Sequence, residues 1–479
     1  MSGISGVTDQ MMSNVAINVA PLIAQPDTTV WRHVHMRYTD FVLAPVEVNM
    51  PALQWGTEAK VELDRPGELA FFTYLLLDIP GICVKNPDTV GQTEEVDGVA
   101  RGAGQYIAED SADEHVEPYY ISGVGHAACE SAKVNMGSIE FDELTSLWLH
   151  SWEQLSAPAG RRLAEMVGTH ASDEYLVLMS REKRRLYVPL TFWFTQHPGL
   201  ALPLASISFS KVTIQVHLRH FSRLIKIGPS HPAVMTNNAL PSPQSMATLV
   251  ESLVYRRPEG ALGRNSPDAT PAASLPKLAV GDVQAKLEIT YVFLTPRERA
   301  RFVKGSFQQL MTEHRYHRHT TNSSFNDIKL PFNLAITSIV FVVRRQETMR
   351  QNELFNFAGP DSPVTGLPTD PVASLRITIS SNTRVDKREG RYFRLVVPYQ
   401  HHTNIPTEYI YTYSFALSPE DPVQPSGTVN GAKTDSINFE VELSELLIQN
   451  SASVQIDFLA SIINIVRYRL GSASKRFNS

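Results

Sequence analysis

The chain has 479 residues and a formal net charge of −6, with 43% of its residues hydrophobic and 19% charged. That composition excludes wholesale disorder, and the acidic balance excludes a general electrostatic grip on nucleic acid. The length exceeds one ordinary core and points to two domains of roughly 200 residues each.

Met1 to Thr29 is polar and lacks a basic n-region, so it reads as an arm ordered on assembly rather than a secretory signal. A first group of β signals follows. Val61 and Leu63 alternate with Lys60, Glu62 and Asp64, a turn falls at Arg65-Pro66-Gly67, and Leu69 to Ile79 is an apolar strand. The insertion Lys85 to Glu117 holds nine acidic residues from Asp88 onward against Arg101 alone, the mark of a solvated surface loop or an acidic contact surface. Ala132 to Phe141 is a strand. From Asp142 to Val167, Leu144, Leu147, Trp148, Trp152 and Leu155 fall on one helical face, and Pro158 divides the stretch. Leu186 to Phe194 reads as a strand broken by His197-Pro198-Gly199. In Ser210 to Arg219, Val212, Ile214, Val216 and Leu218 alternate strictly with polar residues, the period of a half-buried strand. The proline-rich stretch Gly228 to Gly281 is a connection expected to pack partly on the first domain.

A second β group opens with Leu287, Ile289, Tyr291 and Phe293. It runs into Thr295-Pro296-Arg297-Glu298, a capping-box helix start. Strands are then predicted at Ser338–Arg344, Leu375–Ser380 and Tyr392–Pro398. Further ones hold Tyr411, Tyr413, Phe415 and Leu417, then Phe439 to Leu443, then Val454 to Phe458. Many short strands with few helices argue for sandwiches or jelly rolls.

Little in the chain suggests chemistry. His314, His317 and His319 lie within six residues and His401-His402 are adjacent, spacings that could surround a metal. No HExxH or Cys/His pairing accompanies them, and they read instead as surface or interface histidines beside Arg315 and Arg318. Gly305-Ser306 falls in the capped helix without a G-x-S-x-G motif, and no phosphate-binding P-loop occurs. Cys83 and Cys129 form no CxxC, as suits a reducing cytoplasm, and no apolar run reaches the length of a membrane span, about 18 residues. Asn322-Ser323-Ser324 marks Asn322 as a weak candidate for glycosylation. The basic pairs Arg161-Arg162, Arg184-Arg185, Arg256-Arg257 and Arg344-Arg345 lack interleaved aromatics. No catalytic, cofactor-binding or metal-ligating residue is therefore assigned.

Several strings carry a resemblance. These are Thr29 to Phe41 (TVWRHVHMRYTDF), Trp148 to Arg161, Leu186 to Arg219, Tyr291 to Phe302, Arg388 to Thr403, Tyr411 to Pro419, Gln424 to Thr428 and Asn464 to Arg467. In this order they resemble the major capsid proteins of nucleocytoplasmic large DNA viruses, the iridovirus and chlorovirus-like family. The acidic insertion, Met136-Gly137-Ser138 in place of paired glycines, and Lys475-Arg476 depart from the pattern.

The resemblance implies an all-β fold of two tandem eight-stranded antiparallel jelly rolls with short helices in the connecting loops. The expected parts are an arm at 1–29, a first jelly roll at 30–227, a connection at 228–285, and a second jelly roll with its tail at 286–479. It also implies a structural protein of the virion, not an enzyme and without cofactor, that forms homotrimeric capsomers. Its partners would be itself, neighbouring capsomers, and minor capsid and penton proteins, with no direct nucleic acid and an internal membrane touched only indirectly. Assembly would occur in the host cytoplasm or viral factory. The alternatives are a poxvirus-type transient scaffold and a β-sandwich enzyme or carbohydrate-binding protein.

Overall fold

A computed structural model describes residues 39–477 apart from 86–92, 97, 103–104, 109–115, 159, 162, 240–243, 264–265, 267 and 470. The predicted arm at 1–29, residues 30–38 and about half of the acidic insertion lie outside the described residues.

Eight strands build the first roll: β1 (Phe41–Asn49), β2 (Glu58–Glu62), β3 (Leu69–Ile79), β4 (Cys129–Met136), β5 (Ile139–Thr145), β6 (Arg184–Pro189), β7 (Val212–Leu218) and β8 (Gln284–Leu294). They pair antiparallel in two sheets of order β1-β8-β3-β6 and β2-β7-β4-β5. The second roll repeats the plan with β9 (Phe307–Thr321), β10 (Phe325–Lys329), β11 (Ala335–Arg345), β12 (Val372–Ile379), β13 (Asn382–Glu389), β14 (Ile410–Ser414), β15 (Ile437–Leu443) and β16 (Val454–Arg469). Its sheets are β9-β16-β11-β14 and β10-β15-β12-β13, the same order position by position. The fold is a double jelly roll.

This pairing corrects the expected boundary. β8 opens the second group by sequence, yet it hydrogen-bonds between β1 and β3 and closes the first roll. The long connection at 228–285 therefore lies inside that roll, between β7 and β8. Its order in the chain made β8 look like a beginning, because strand pairing over more than 200 residues leaves no local trace.

Other expectations shift for local reasons. The predicted helix from Asp142 starts only at Ser146, because Asp142 to Thr145 complete β5. The Thr145 hydroxyl accepts the Trp148 N–H, and the helix Ser146–Ser156 (α1) ends before Pro158. The expected strand Leu186–Phe194 gives way after Pro189 to a turn of helix at Trp193–Gln196. Tyr392–Pro398 is helical, a π turn running into a turn of α-helix. Phe393 and Val397, four residues apart, are buried, as is Pro398, which sits in the first turn of the α-helix, where no N–H is needed. The strand before it ends at Glu389, and Gly390 then packs so closely on the Val372 carbonyl that a side chain there would collide with it. The helix Pro296–Lys304 (α2) is capped by Thr295 as expected, although Glu298 turns to Arg301 at 2.9 Å instead of completing the box. Gly305-Ser306 falls just beyond it.

One core fills the first roll, with Trp55, Phe141, Trp148, Phe192, Trp193, Ile214 and Tyr291 among its members. A second, around Phe341, Tyr411, Phe439 and Phe458, fills the other. The first core does not stop at the roll's edge. Val340, Val342 and Leu459 belong to it, while Ile339, Phe341, Val343 and Phe458 belong to the second. Alternate residues of β11 thus serve two cores. A strand apolar on both faces is what a sheet covered on both sides requires.

Strand direction gives the molecule two ends. In both rolls the odd-to-even connections, such as β3–β4, β5–β6 and β7–β8, leave one end, and the even-to-odd ones leave the other. The longest connections gather at the first, here called the loop end. Residue 39, α2 and Phe477 lie at the opposite base.

Candidate functional site: the seam between the rolls

The seam begins where the edge strand β5 meets the edge strand β9. Asp142, 2% exposed, accepts the backbone N–H of His314 at 2.8 Å and faces its Nδ1 at 3.1 Å. The Trp148 ring packs on the imidazole with centroids 4.1 Å apart. A carboxylate so buried is tolerable only with donors around it, and the Glu143 N–H supplies a third at 3.0 Å. Asp142 also occupies a backbone donor that an open strand edge would offer to another chain.

Above this, Arg344 lies buried against Asp457 at 2.7 Å, and Arg318 reaches the same carboxylate at 2.9 Å. Burial first, and then the Asp457 charge, pushes the Tyr316 hydroxyl far above its ordinary range, so it stays protonated and donates to Asp457. Glu313, also buried, holds Lys475 at 2.6 Å and Arg315 at 3.3 Å.

At the loop end, connections of the second roll grip the first. Asn352 donates from Nδ2 to the Ser222 and Ile225 carbonyls at 2.6 and 2.7 Å. Lys226 pairs with Glu353 at 2.9 Å, and burial of the ammonium is outweighed by that carboxylate. His150 of α1 stacks on Phe355 with centroids 3.9 Å apart and meets Glu408 at 2.7 Å. The Asn404 N–H donates to Leu155 at 2.8 Å. At the base, the Ser206 hydroxyl donates to the Phe302 carbonyl at 2.8 Å and the Phe209 N–H to Gly471 at 2.9 Å. Held at both ends and through a shared core, the rolls form one block.

The residues singled out by sequence fall into this frame without converging. His314 is a buried seam residue, whereas His317 and His319 are half-buried farther along β9. Among the described residues no three His, Cys, Asp or Glu side chains gather as a metal site. His401 meets the Leu417 carbonyl and His402 the Glu420 carboxylate, tying α-helical turn to loop within the second roll. Asn322 is exposed in the β9–β10 turn at the loop end. Of the basic pairs, Arg185 grips Asp78 at 2.6 and 2.9 Å and Arg256 holds Asp282 at 2.7 Å, which makes them internal ties. Cys129 is buried and its thiol is pushed up to about 12 by that burial, so it stays protonated. Sequence reasoning missed Asp142, Asn352 and Asp457 altogether. A single Asp or Asn in a strand or loop carries no spacing signal.

Two jelly rolls of one topology, packed into one block with their loops at one end, define the class by fold, a double jelly roll, and leave the family to be named. Sequence comparison says which. Residues 298–474 match the family model described as large eukaryotic DNA virus major capsid protein, and residues 29–251 match the one for the major capsid protein N-terminus. The chain belongs to this major capsid protein family, whose members are structural proteins and not enzymes. Its relatives include probable capsid protein 4 of Acanthamoeba polyphaga mimivirus, 22% identical over 91% of this chain and 92% of that one. The major capsid protein of Phaeocystis pouchetii virus is 22% identical over 96% and 97%. Among solved structures, the PBCV-1 capsid superposes with a TM-score of 0.66 at 17% identity, over 94% of this chain and 100% of that chain. The Faustovirus major capsid protein gives 0.63 at 11%, over 96% and 98%. These likenesses carry the double jelly-roll fold.

Proposed function

We propose that three copies of the chain close into a pseudo-hexagonal capsomer, and that such capsomers tile the icosahedral shell of a large double-stranded DNA virus. The observation that carries this reading is a pair of unmatched edges. Inside the chain, the last strand of one four-stranded sheet, β5, packs against the first strand of the other roll, β9. The topologically equivalent edges, β13 of the second roll and β1 of the first, remain open among the described residues. Seven of the eight residues of β13 are exposed, and β1 exposes Phe41 and Leu43 at 47% and 48%. Repeating the intrachain seam between copies sets β13 of one against β1 of the next. Three repeats close a ring of six similar lobes, and closure removes every free edge of this kind.

The two ends give the ring an inside and an outside. We place the loop end outward, so the acidic insertion between β3 and β4 and the glycosylation candidate Asn322 face the surroundings. The base, which carries the first and last described residues, then faces inward, with the arm at 1–29 meeting minor capsid and penton proteins above an internal membrane. Neither end needs direct contact with nucleic acid. Synthesis and assembly would take place in the host cytoplasm or viral factory.

Light scattering on the purified protein tests the ring. A mass of about 160 kDa, three chains of 53.3 kDa, supports it and invites imaging for a hexagonal outline. A stable monomer at micromolar concentration would overturn it.

A further inference from the structure

The seam opens at the loop end into a cleft of about 980 Å³ whose charge is opposite to that of the chain. Arg219 and Arg223 enter it from the first roll, and Arg318, Arg344 and Arg350 from the second. The carboxylates that answer them are few. Glu130 holds Arg219 at 3.2 Å, and Asp457 is shared between Arg318 and Arg344. Glu143, also on the wall, is taken by Lys133 at 3.2 Å. Arg223 and Arg350, both exposed, have no carboxylate partner among the described residues. Burial lowers the Arg219 pKa against the pull of Glu130, and the neighbouring charges of Arg344 and Arg223 push it down as well. A chain of net charge −6 has thus gathered five guanidinium groups around one water-accessible space and left part of their charge unanswered.

We propose that this cleft is a binding site for a multivalent oxyanion, a polyphosphate or a sulfated saccharide, held by Arg219 and Arg223 on one wall and Arg344 and Arg350 on the other. Guanidinium forks match phosphate and sulfate oxygens in pairs, and several of them in one concave space favour a ligand with several anionic groups. Because the arginines come from both rolls, the bound anion is a strap across the seam. It relieves like-charge repulsion and ties the loop end together, so binding adds to the stability of the folded protein.

The test uses the full-length protein with tripolyphosphate and, separately, a heparin-derived sulfated tetrasaccharide, each by calorimetric titration and thermal unfolding at constant ionic strength. The expected result is saturable binding of at least one probe with a raised Tm. The double variant Arg223→Gln/Arg350→Gln, altered only at exposed positions, should have an unliganded Tm no lower than the parent's and bind about tenfold more weakly or worse, a loss of roughly one decade in Kd. The probe that binds more tightly names the source of the oxyanion. Absence of saturable binding by both probes overturns the proposal, as does equal binding by the double variant. A Tm rise reproduced by sodium chloride at matched ionic strength also overturns it.

Discussion

Asn352 shows how much one polar residue at the seam can carry. Its φ of 61° lies in the left-handed region, which Asn tolerates and most other side chains do not. From that position its amide satisfies two buried carbonyls of the other roll. Asn352→Ala is expected to cost about 2–4 kcal/mol, since both acceptors lose their donor and the backbone strain stays. Urea unfolding measures it, and a loss below about 0.5 kcal/mol would show that the seam does not depend on this contact. Asp142 is the second such residue. Asp142→Ala removes the partner of the His314 N–H and ring, so the same experiment should read a loss of about 3–5 kcal/mol. Neither residue was legible in the sequence, where Asp142 looked like the start of a helix. His314 was noticed for its neighbours His317 and His319, a grouping that the strand does not honour.

At the scale of elements, legibility followed periodicity. β7, β15 and β16 show an apolar face at period two in the sequence, and they are strands in the fold. β9 was invisible because Phe307 to Thr321 is mostly polar. It is the seam's edge strand, and polar partners on the first roll replace an apolar face. The helical turns at Tyr392–His401 were misread for the opposite reason, since a short apolar run fits either period. The open edges lend themselves to a direct test. Leu43 on β1 points outward, so Leu43→Lys should leave the monomer's thermal unfolding within about 0.5 kcal/mol of the parent while preventing ring closure. Light scattering should then report 53.3 kDa chains where the parent reports trimers. Trimers of undiminished stability would remove β1 from the proposed contact.

The whole molecule has a built-in response to acid. His126 sits fully buried where the β3–β4 connection packs on α1, 3.5 Å from Glu153 and with its ring centroid 6.1 Å from that of His150. Burial first, and then the charge of His150, lowers its pKa from 6.5 to about 3. The folded protein therefore keeps this imidazole neutral at pH values where the unfolded chain takes up a proton. Its contribution is complete above pH 6.5 and is withdrawn as pH falls from there towards 3, amounting to about 2 kcal/mol already lost at pH 5. His231 and His170, both lowered by burial, act in the same direction. His126 packs beside His150 of α1, which grips Phe355 and Glu408, so the group that takes up the proton adjoins the loop end of the seam. Urea unfolding at pH 7.5 and pH 5.0 should show the parent weakening on acidification, and His126→Gln should weaken by about 2 kcal/mol less. Equal acid losses in the two proteins would move the sensitivity away from His126 and leave the open seam edges and surface carboxylates to account for it.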